Sequence, residues 1–412
     1  MNIVVINTFW RYPNTERWEF ELITYDAFIN HDDNHVSYIV NQRGLSAVPT
    51  KAVRGDVYCV EDISDKNQIE THIKEVIAKH GAIDRIIAFS ENQLLLAAYL
   101  REKYSIPGPK QEVTELARDK VKMKGALAQT SIEVPRYLCV GEGSNEQSIK
   151  QFSNDVGFPL ILKPTKGASS VGVIKIENMK ELLENVSSLQ GDEWELEEYI
   201  DGDIYHIDGI VDKDGEIIFH TTSRYINSCL NFSFENPLGS VLLPDDHELH
   251  LSVRNFTQEC LSRLKFSACP FHLEAFRTYS GEWVFLEVGA RVAGADVPYV
   301  IEKCTGVNLF EHWVALILNG KTTLQPSTAL PGAWLMFGRP KELPKIVSAI
   351  SDFRDQYQSL YRQLTPKLGS QLIDESGYSS MQSGRFLFCG QDTDSVMNDV
   401  DGVISNFKIK FE

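Results

Sequence analysis

The sequence lacks the short signatures that most often announce a bound cofactor. No Gly-x-Gly-x-x-Gly follows the first apolar run, Asn2-Ile3-Val4-Val5-Ile6; the next residues are Asn7-Thr8-Phe9-Trp10-Arg11. A dinucleotide turn is therefore missing, which disfavours a nicotinamide enzyme. No Gly-Lys-Ser/Thr opens a helix, so there is no Walker-type phosphate loop. The seven cysteines, at 59, 139, 229, 260, 269, 304 and 389, form neither a CxxC pair nor a Cys/His zinc spacing. An odd, scattered set suggests reduced thiols and a cytoplasmic setting. No apolar run approaches the length of a membrane span. The start, MNIVVINTFWRYP, lacks the basic opening and the long apolar stretch of a signal peptide. Positive charge is also scarce, with a formal net charge of −17, which disfavours nucleic acid as the main partner. There is no internal repeat and no low-complexity segment. A soluble protein with neither nucleic acid nor membrane as partner is expected.

What remains is globular: 412 residues, 43% hydrophobic and 24% charged. That length exceeds one hydrophobic core, so two to four domains are expected. The first hundred residues alternate strand and helix patterns. Residues 2–6, 35–40, 56–60 and 83–91 read as strands. Helices are expected near 16–28, over 69–81 and from Leu94 on. In IETHIKEVIAKHG, Ile69, Ile73, Val76 and Ile77 share one face and Gly81 marks the end. This alternation predicts a parallel sheet covered on both faces.

The most informative stretch is FHLEAFRTYSGEWVFLEVGARVAGAD, from Phe271 to Asp296. FHLEAF and WVFLEV read as strands joined by a turn. A two-residue loop at Ser280-Gly281 would place Glu274 directly across from Glu287. Opposed side chains have Cβ atoms about 4.5–5.5 Å apart, where like charges destabilise. Something positive belongs between them, and magnesium suits two carboxylates plus phosphate oxygens. Arg291 follows four residues after Glu287. Two acids and an arginine around one point describe a phosphoryl-transfer site. A surface hairpin with two solvated acids is the competing reading.

Upstream, Lys163 ends the apolar strand of FPLILKP, and KGASSVG, 166–172, is small and rich in free N–H groups. Such loops cradle phosphate; an ordinary hairpin loop would look the same. Arg118-Asp119-Lys120 opens a helix. EEYIDG, 197–202, could serve as an extended connector between lobes.

Taken in order, RDK, PLILKP, the small-residue loop, EEYIDG, HLE at 272–274 and EVGAR at 287–291 resemble the ATP-grasp superfamily of carboxylate–amine ligases, over roughly residues 90–315. The resemblance implies a mixed α/β and α+β chain. A Rossmann-like parallel α/β domain (1–110) would precede the ATP-grasp small lobe (111–195) and large lobe (196–325). A small C-terminal α+β lobe (326–412) would close the chain. It implies ATP phosphate contacts from Lys120 and Lys163, and a closing loop containing Lys166, Gly167, Ser169, Ser170 and Gly172. Backbone positions Glu197 and Ile200 would bind adenine, and Glu274 and Glu287 would hold Mg2+, with Mn2+ able to substitute. Arg291 would hold the transferred phosphate, with Lys163 also catalytic.

Two positions depart from the pattern. Gly289 stands where many relatives place an asparagine metal ligand. Ile204 stands where a ribose-binding glutamate is common, leaving Asp203 or His206 as substitutes. The EVGAR ending followed by RVAGAD looks most like L-amino acid ligases, which form dipeptides through an acyl phosphate, and among these the arginine-accepting ones of bacilli. Arg224 and Gly294 are candidate substrate contacts, with Arg224 equally readable as a structural ion pair. A homodimer is compatible with the resemblance. The alternatives are the same chemistry on another carboxylate and amine, as in purine or cofactor biosynthesis, a biotin-dependent carboxylase component, and a non-catalytic ATP-binding regulatory module.

Overall fold

The computed structural model describes residues 1–12, 15–49, 56–167, 170–191, 193–373 and 382–412. The opening strand, Asn2–Asn7, is buried along its whole length. Ile3 and Val5 enter one apolar core while Val4 and Ile6 enter another, because successive side chains point to opposite faces. It lies between His35–Val40 and Arg85–Ala88, with Val57–Cys59 outermost, and every pairing is parallel. The helix Lys66–His80 covers one face. Its Asp65 cap accepts from the Asn67 and Gln68 amides, and it ends at Gly81 with φ 82°. The helix expected near 16–28 is reduced to Tyr25–Phe28. Residues ahead of it form turns in which Trp18 and Phe20 are committed to tertiary partners: the Trp18 indole donates to Asp296, and the Phe20 amide to Tyr299.

A four-stranded antiparallel sheet follows, in the order Tyr137–Val140, Trp194–Glu198, Leu160–Pro164, Ile174–Ile176. The largest sheet has eight strands. Its order is Trp283–Gly289, Cys269–Thr278, Gly202–Val211, Ile217–Tyr225, Leu238–Leu242, Gly332–Gly338, Gln382–Cys389, Leu360–Leu364. Three strands from beyond residue 326 thus extend the sheet that carries the acidic hairpin. One face packs with Ile210, Leu242, Trp334 and the helices Val297–Thr305 and Leu309–Asn319. The other packs with Ile207, Leu273, Phe285 and the helix His250–Arg263. No helix among the described residues is long and apolar enough to cross a membrane.

Candidate active site

The hairpin Cys269–Thr278/Trp283–Gly289 pairs Glu274 with Glu287, as the sequence predicts, but by another route. The loop is one residue longer than expected: the Thr278 amide donates to Glu282 O, and Gly281, at φ 89°, takes the left-handed position. That shifts the register to Arg277↔Trp283. A bulge at Leu286 then shifts it back, restoring Glu274↔Glu287. One extra residue in a strand does this at the cost of a local kink.

Both carboxylates line a cleft of about 550 Å³ between the four-stranded sheet and the eight-stranded one. The opposite wall carries Lys120, Lys163, Gly167 and Ser170; Tyr199, Ile200 and Gly202 form the connecting edge. Lys120 sits at the first position of the helix Lys120–Leu127, whose Asp119 cap accepts from the Val121 and Lys122 amides. Its ammonium reaches Glu287 at 2.7 Å and Gly167 O at 3.1 Å. Burial works to raise the Glu287 pKa, but the positive charges of Lys120, Lys163 and Arg291, with the Lys120 hydrogen bond, together hold the carboxyl at about 2. Glu274 accepts from the Tyr225 hydroxyl at 2.7 Å.

Lys163 is buried beside a second charge cluster. It donates to Glu197 at 2.7 Å and lies 3.6 Å from Glu195. Lys124, fully buried one turn after Lys120, bridges Glu195 at 2.7 Å and also pairs with Glu197. Burial opposes the Lys163 charge, yet the two carboxylates raise its pKa above the usual lysine value.

Behind Glu274 lies a polar network. Asp208, fully buried, accepts from His206 at 2.5 Å and His272 at 2.8 Å, and His206 also meets Ser240 at 2.7 Å. His272 Nε2 comes within 3.5 Å of Glu274. These groups could geometrically hold a metal ion. They are already hydrogen-bonded to one another, and they read as support for Glu274.

The structure places the remaining expected residues as follows. Glu197 is an interior ladder residue, registered with Tyr137 on one side and Ile161 on the other. It contributes a buried side chain, and the connector free of strand structure is Tyr199–Asp201. Arg224 faces away from the acids: Tyr225 points to Glu274, so strand alternation sends Arg224 to the opposite face, 3.9 Å from Asp203. Asp203 and Ile204 both line the cleft. His206 is spent in the buried network. Gly294 does not line the cleft. Lys166 is exposed and pairs with Glu193 at 2.7 Å. Ser170 and Gly172 adopt positive φ, 54° and 78°. Ser169 lies outside the described residues.

Arg291 folds back over Gly289, where a Cβ would stand 3.2 Å from Arg291 Cγ. The absent side chain leaves room for the guanidinium. Arg291 Nε donates to Glu91 at 2.9 Å, and the other oxygen of Glu91 pairs with Arg118. Glu91 follows the last strand of the N-terminal parallel sheet, 200 positions away. Sequence reading missed it, along with Lys124, Glu195 and Asp208; SEN at 90–92 carries no motif that would single it out.

Residues 156–298 match the ATP-grasp domain family. Together with the sheet arrangement and the facing acids and lysines, this defines the class: the chain carries an ATP-grasp domain on a mixed α/β fold. Within that class it is similar to the L-arginine-specific L-amino acid ligase of Bacillus subtilis, at 26% identity over 83% of each chain. A crystal structure of an L-amino acid ligase from Bacillus licheniformis superposes with a TM-score of 0.72 at 17% identity, covering 100% of this chain and 98% of that one. The 2-oxoglutarate carboxylase biotin carboxylase domain of Hydrogenobacter thermophilus, solved with Mg-ADP, shares the fold with a TM-score of 0.67 at 14% identity, covering 100% of this chain and 90% of that one.

Proposed function

We propose that this protein is an ATP-dependent ligase that joins two unprotected L-amino acids through an acyl phosphate, giving a dipeptide, ADP and phosphate. The observation that carries the reading is the Glu274–Glu287 pair facing a cleft whose other wall presents Lys120 and Lys163. Two opposed carboxylates, one already drawn to an ammonium, are a donor set that fits a hard divalent cation. Glu274 and Glu287 would hold Mg2+, with Mn2+ as a substitute. Such an ion neutralises phosphate charge and aligns the γ-phosphoryl group.

The chain's own residues do the rest. Lys120 and Lys163 orient the triphosphate, and Ile161, Tyr199, Ile200, Ile204 and Phe276 present apolar surface to the base. The 166–172 segment, including Lys166, Gly167, Ser169, Ser170 and Gly172, covers the phosphates and excludes water from the acyl phosphate. The first amino acid's carboxylate oxygen attacks the γ-phosphorus and ADP leaves. Arg291 holds the transferred phosphoryl group. The second amino acid's amine then attacks the acyl carbon and phosphate departs. We assign the working lobes as 1–110, 111–195, 196–325 and 326–412, and the setting as cytoplasmic. Arginine as first substrate is supported by the Bacillus subtilis relative alone, and a homodimer is a further expectation. Phosphate release measured with every amino acid singly and in pairs tests the reading: release that depends on amino acids supports it, and nucleotide binding without such release refutes it.

A further inference from the structure

Strand register sets what lies along the floor of the cleft. Strands Gly202–Val211 and Cys269–Thr278 run antiparallel, with Gly202 opposite Thr278, Ile204 opposite Phe276 and His206 opposite Glu274. Side chains two apart share a face, so Ile204 and Phe276 stand on the face that carries Glu274. Gly202 follows the connector Tyr199–Asp201 at the base end, and Glu274 marks the metal end. Ile204 is two residues from Gly202 and two from His206, about 7 Å along the strand from each. A nucleotide laid from the connector to the acids puts its pentose over the Ile204–Phe276 pair.

Both residues are half-buried and line the cleft, and neither offers an acceptor to a sugar hydroxyl. Leu286 adds further apolar lining. On the strand Ile217–Tyr225, the Tyr225 hydroxyl is drawn to Glu274 at 2.7 Å. The carboxylates nearby have partners of their own. Asp203 stands opposite Arg277 and lies 3.9 Å from Arg224, and strand alternation turns its side chain from the face that Ile204 shares with Glu274. Glu198 receives Arg136 on both oxygens, at 3.1 Å each. A carboxylate at the position of Ile204 would accept strong, charge-assisted hydrogen bonds from the sugar. A branched aliphatic side chain gives the sugar contact area alone.

We propose that the cleft holds its nucleotide by the base and the phosphates and does not read the sugar hydroxyls, so that 2′-deoxy-ATP and 3′-deoxy-ATP serve in place of ATP. Ile204 is the residue that sets this indifference. The nucleotide itself comes from the ligase reading above, but the claim concerns binding, which can be measured without an amino acid.

Calorimetric titration of the full-length protein with ATP, 2′-deoxy-ATP and 3′-deoxy-ATP, each with Mg2+, tests it. Losing a hydrogen bond to a charged acceptor costs roughly ten- to a hundredfold in affinity. Wild type is expected to bind the three nucleotides within about fivefold of one another. A preference for ATP beyond that overturns the proposal and assigns the sugar hydroxyls to a polar group of the cleft wall. Ile204→Glu supplies the acceptor, and its preference for ATP over at least one deoxy nucleotide is expected to exceed that of wild type by about fivefold or more. An unchanged ratio in Ile204→Glu overturns the placement of the sugar over Ile204. Should Ile204→Glu bind no nucleotide, Ile204→Gln decides by the same ratio: a rise of about twofold or more supports the proposal, and no rise overturns it. A wild type that binds nucleotide but releases no phosphate with any amino acid overturns the ligase reading, and the three affinities still decide this inference. A wild type that binds none of the three overturns both.

Discussion

Lys120 Nζ lies 2.7 Å from Glu287 Oε2, joining the first turn of the helix Lys120–Leu127 to the edge strand of the eight-stranded sheet. The cleft thus carries its own charge balance before nucleotide arrives. On the proposed function, bound Mg-ATP would give each partner a new one, phosphate for the ammonium and the metal for the carboxylate. Glu287→Gln removes the charge proposed to face the metal and leaves Lys120 in place. Amino-acid-dependent ADP formation should fall at least about 10²-fold, measured by coupled ADP release. Near-native ADP formation would remove Glu287 from the metal site.

Arg291 touches the proposed path of the phosphoryl group without lining the nucleotide cleft. Arg291→Ala should therefore lower kcat by about 10²-fold or more while changing the Kd for ATP by less than about threefold. Calorimetric ATP titration alongside steady-state kinetics separates the two. Equal losses in both would place Arg291 in nucleotide binding.

Gly289 gives Arg291 its resting place. A Cβ there would stand 3.2 Å from Arg291 Cγ, forcing the guanidinium to shift by a few tenths of an ångström. Gly289→Ala should lower kcat by about tenfold with ATP affinity kept. Unchanged kcat would show that Arg291 does not act from this position.

Lys124 does not itself line the cleft, yet it neutralises Glu195 and Glu197 from a fully buried position. Lys124→Met strands buried carboxylate charge. Its expected cost is about 3–5 kcal/mol of stability, read from urea unfolding of the ATP-free protein. A loss below about 1 kcal/mol would mean that the carboxylates take up protons or water freely.

His220 supplies a pH dependence. Burial, then His250 and Arg254, lower its pKa from 6.5 to about 4, and its Nε2 has no partner among the described residues. The unfolded chain binds a proton at a pH where the native state does not. Stability from this group is therefore fully present above pH 6.5 and is lost as pH falls toward 4, by roughly 3 kcal/mol at most. His220→Leu should flatten that part of the unfolding curve; an unchanged slope would assign it to other groups.

What could be read from the chain follows the range of each interaction. The opening parallel sheet was legible because Ile3 through Ile6 and Ile69 through Val76 carry strand and helix periods locally. The Glu274–Glu287 pairing was legible although the loop was counted one residue short, because the bulge at Leu286 cancels the error. Arg224 was left between a substrate contact and a structural ion pair, because only the structure fixes which of two neighbouring residues faces the cleft; it pairs with Asp203 at 3.9 Å. Glu91 was invisible because its partners lie 27 and 200 positions away, and a lone glutamate at a helix entry looks like a solvated one. The joining of the 332–389 strands to the central sheet is likewise a long-range pairing that no local pattern encodes.

The central claim is that ATP phosphorylates an amino acid carboxylate in this cleft. A heavy-oxygen-labelled carboxylate on the first amino acid tests it most directly, with released phosphate and dipeptide both examined by mass spectrometry. One labelled oxygen transferred to phosphate for each dipeptide formed, with both products lost in Glu287→Gln, is the predicted result. Unlabelled phosphate, or ATP hydrolysis without dipeptide, would contradict it.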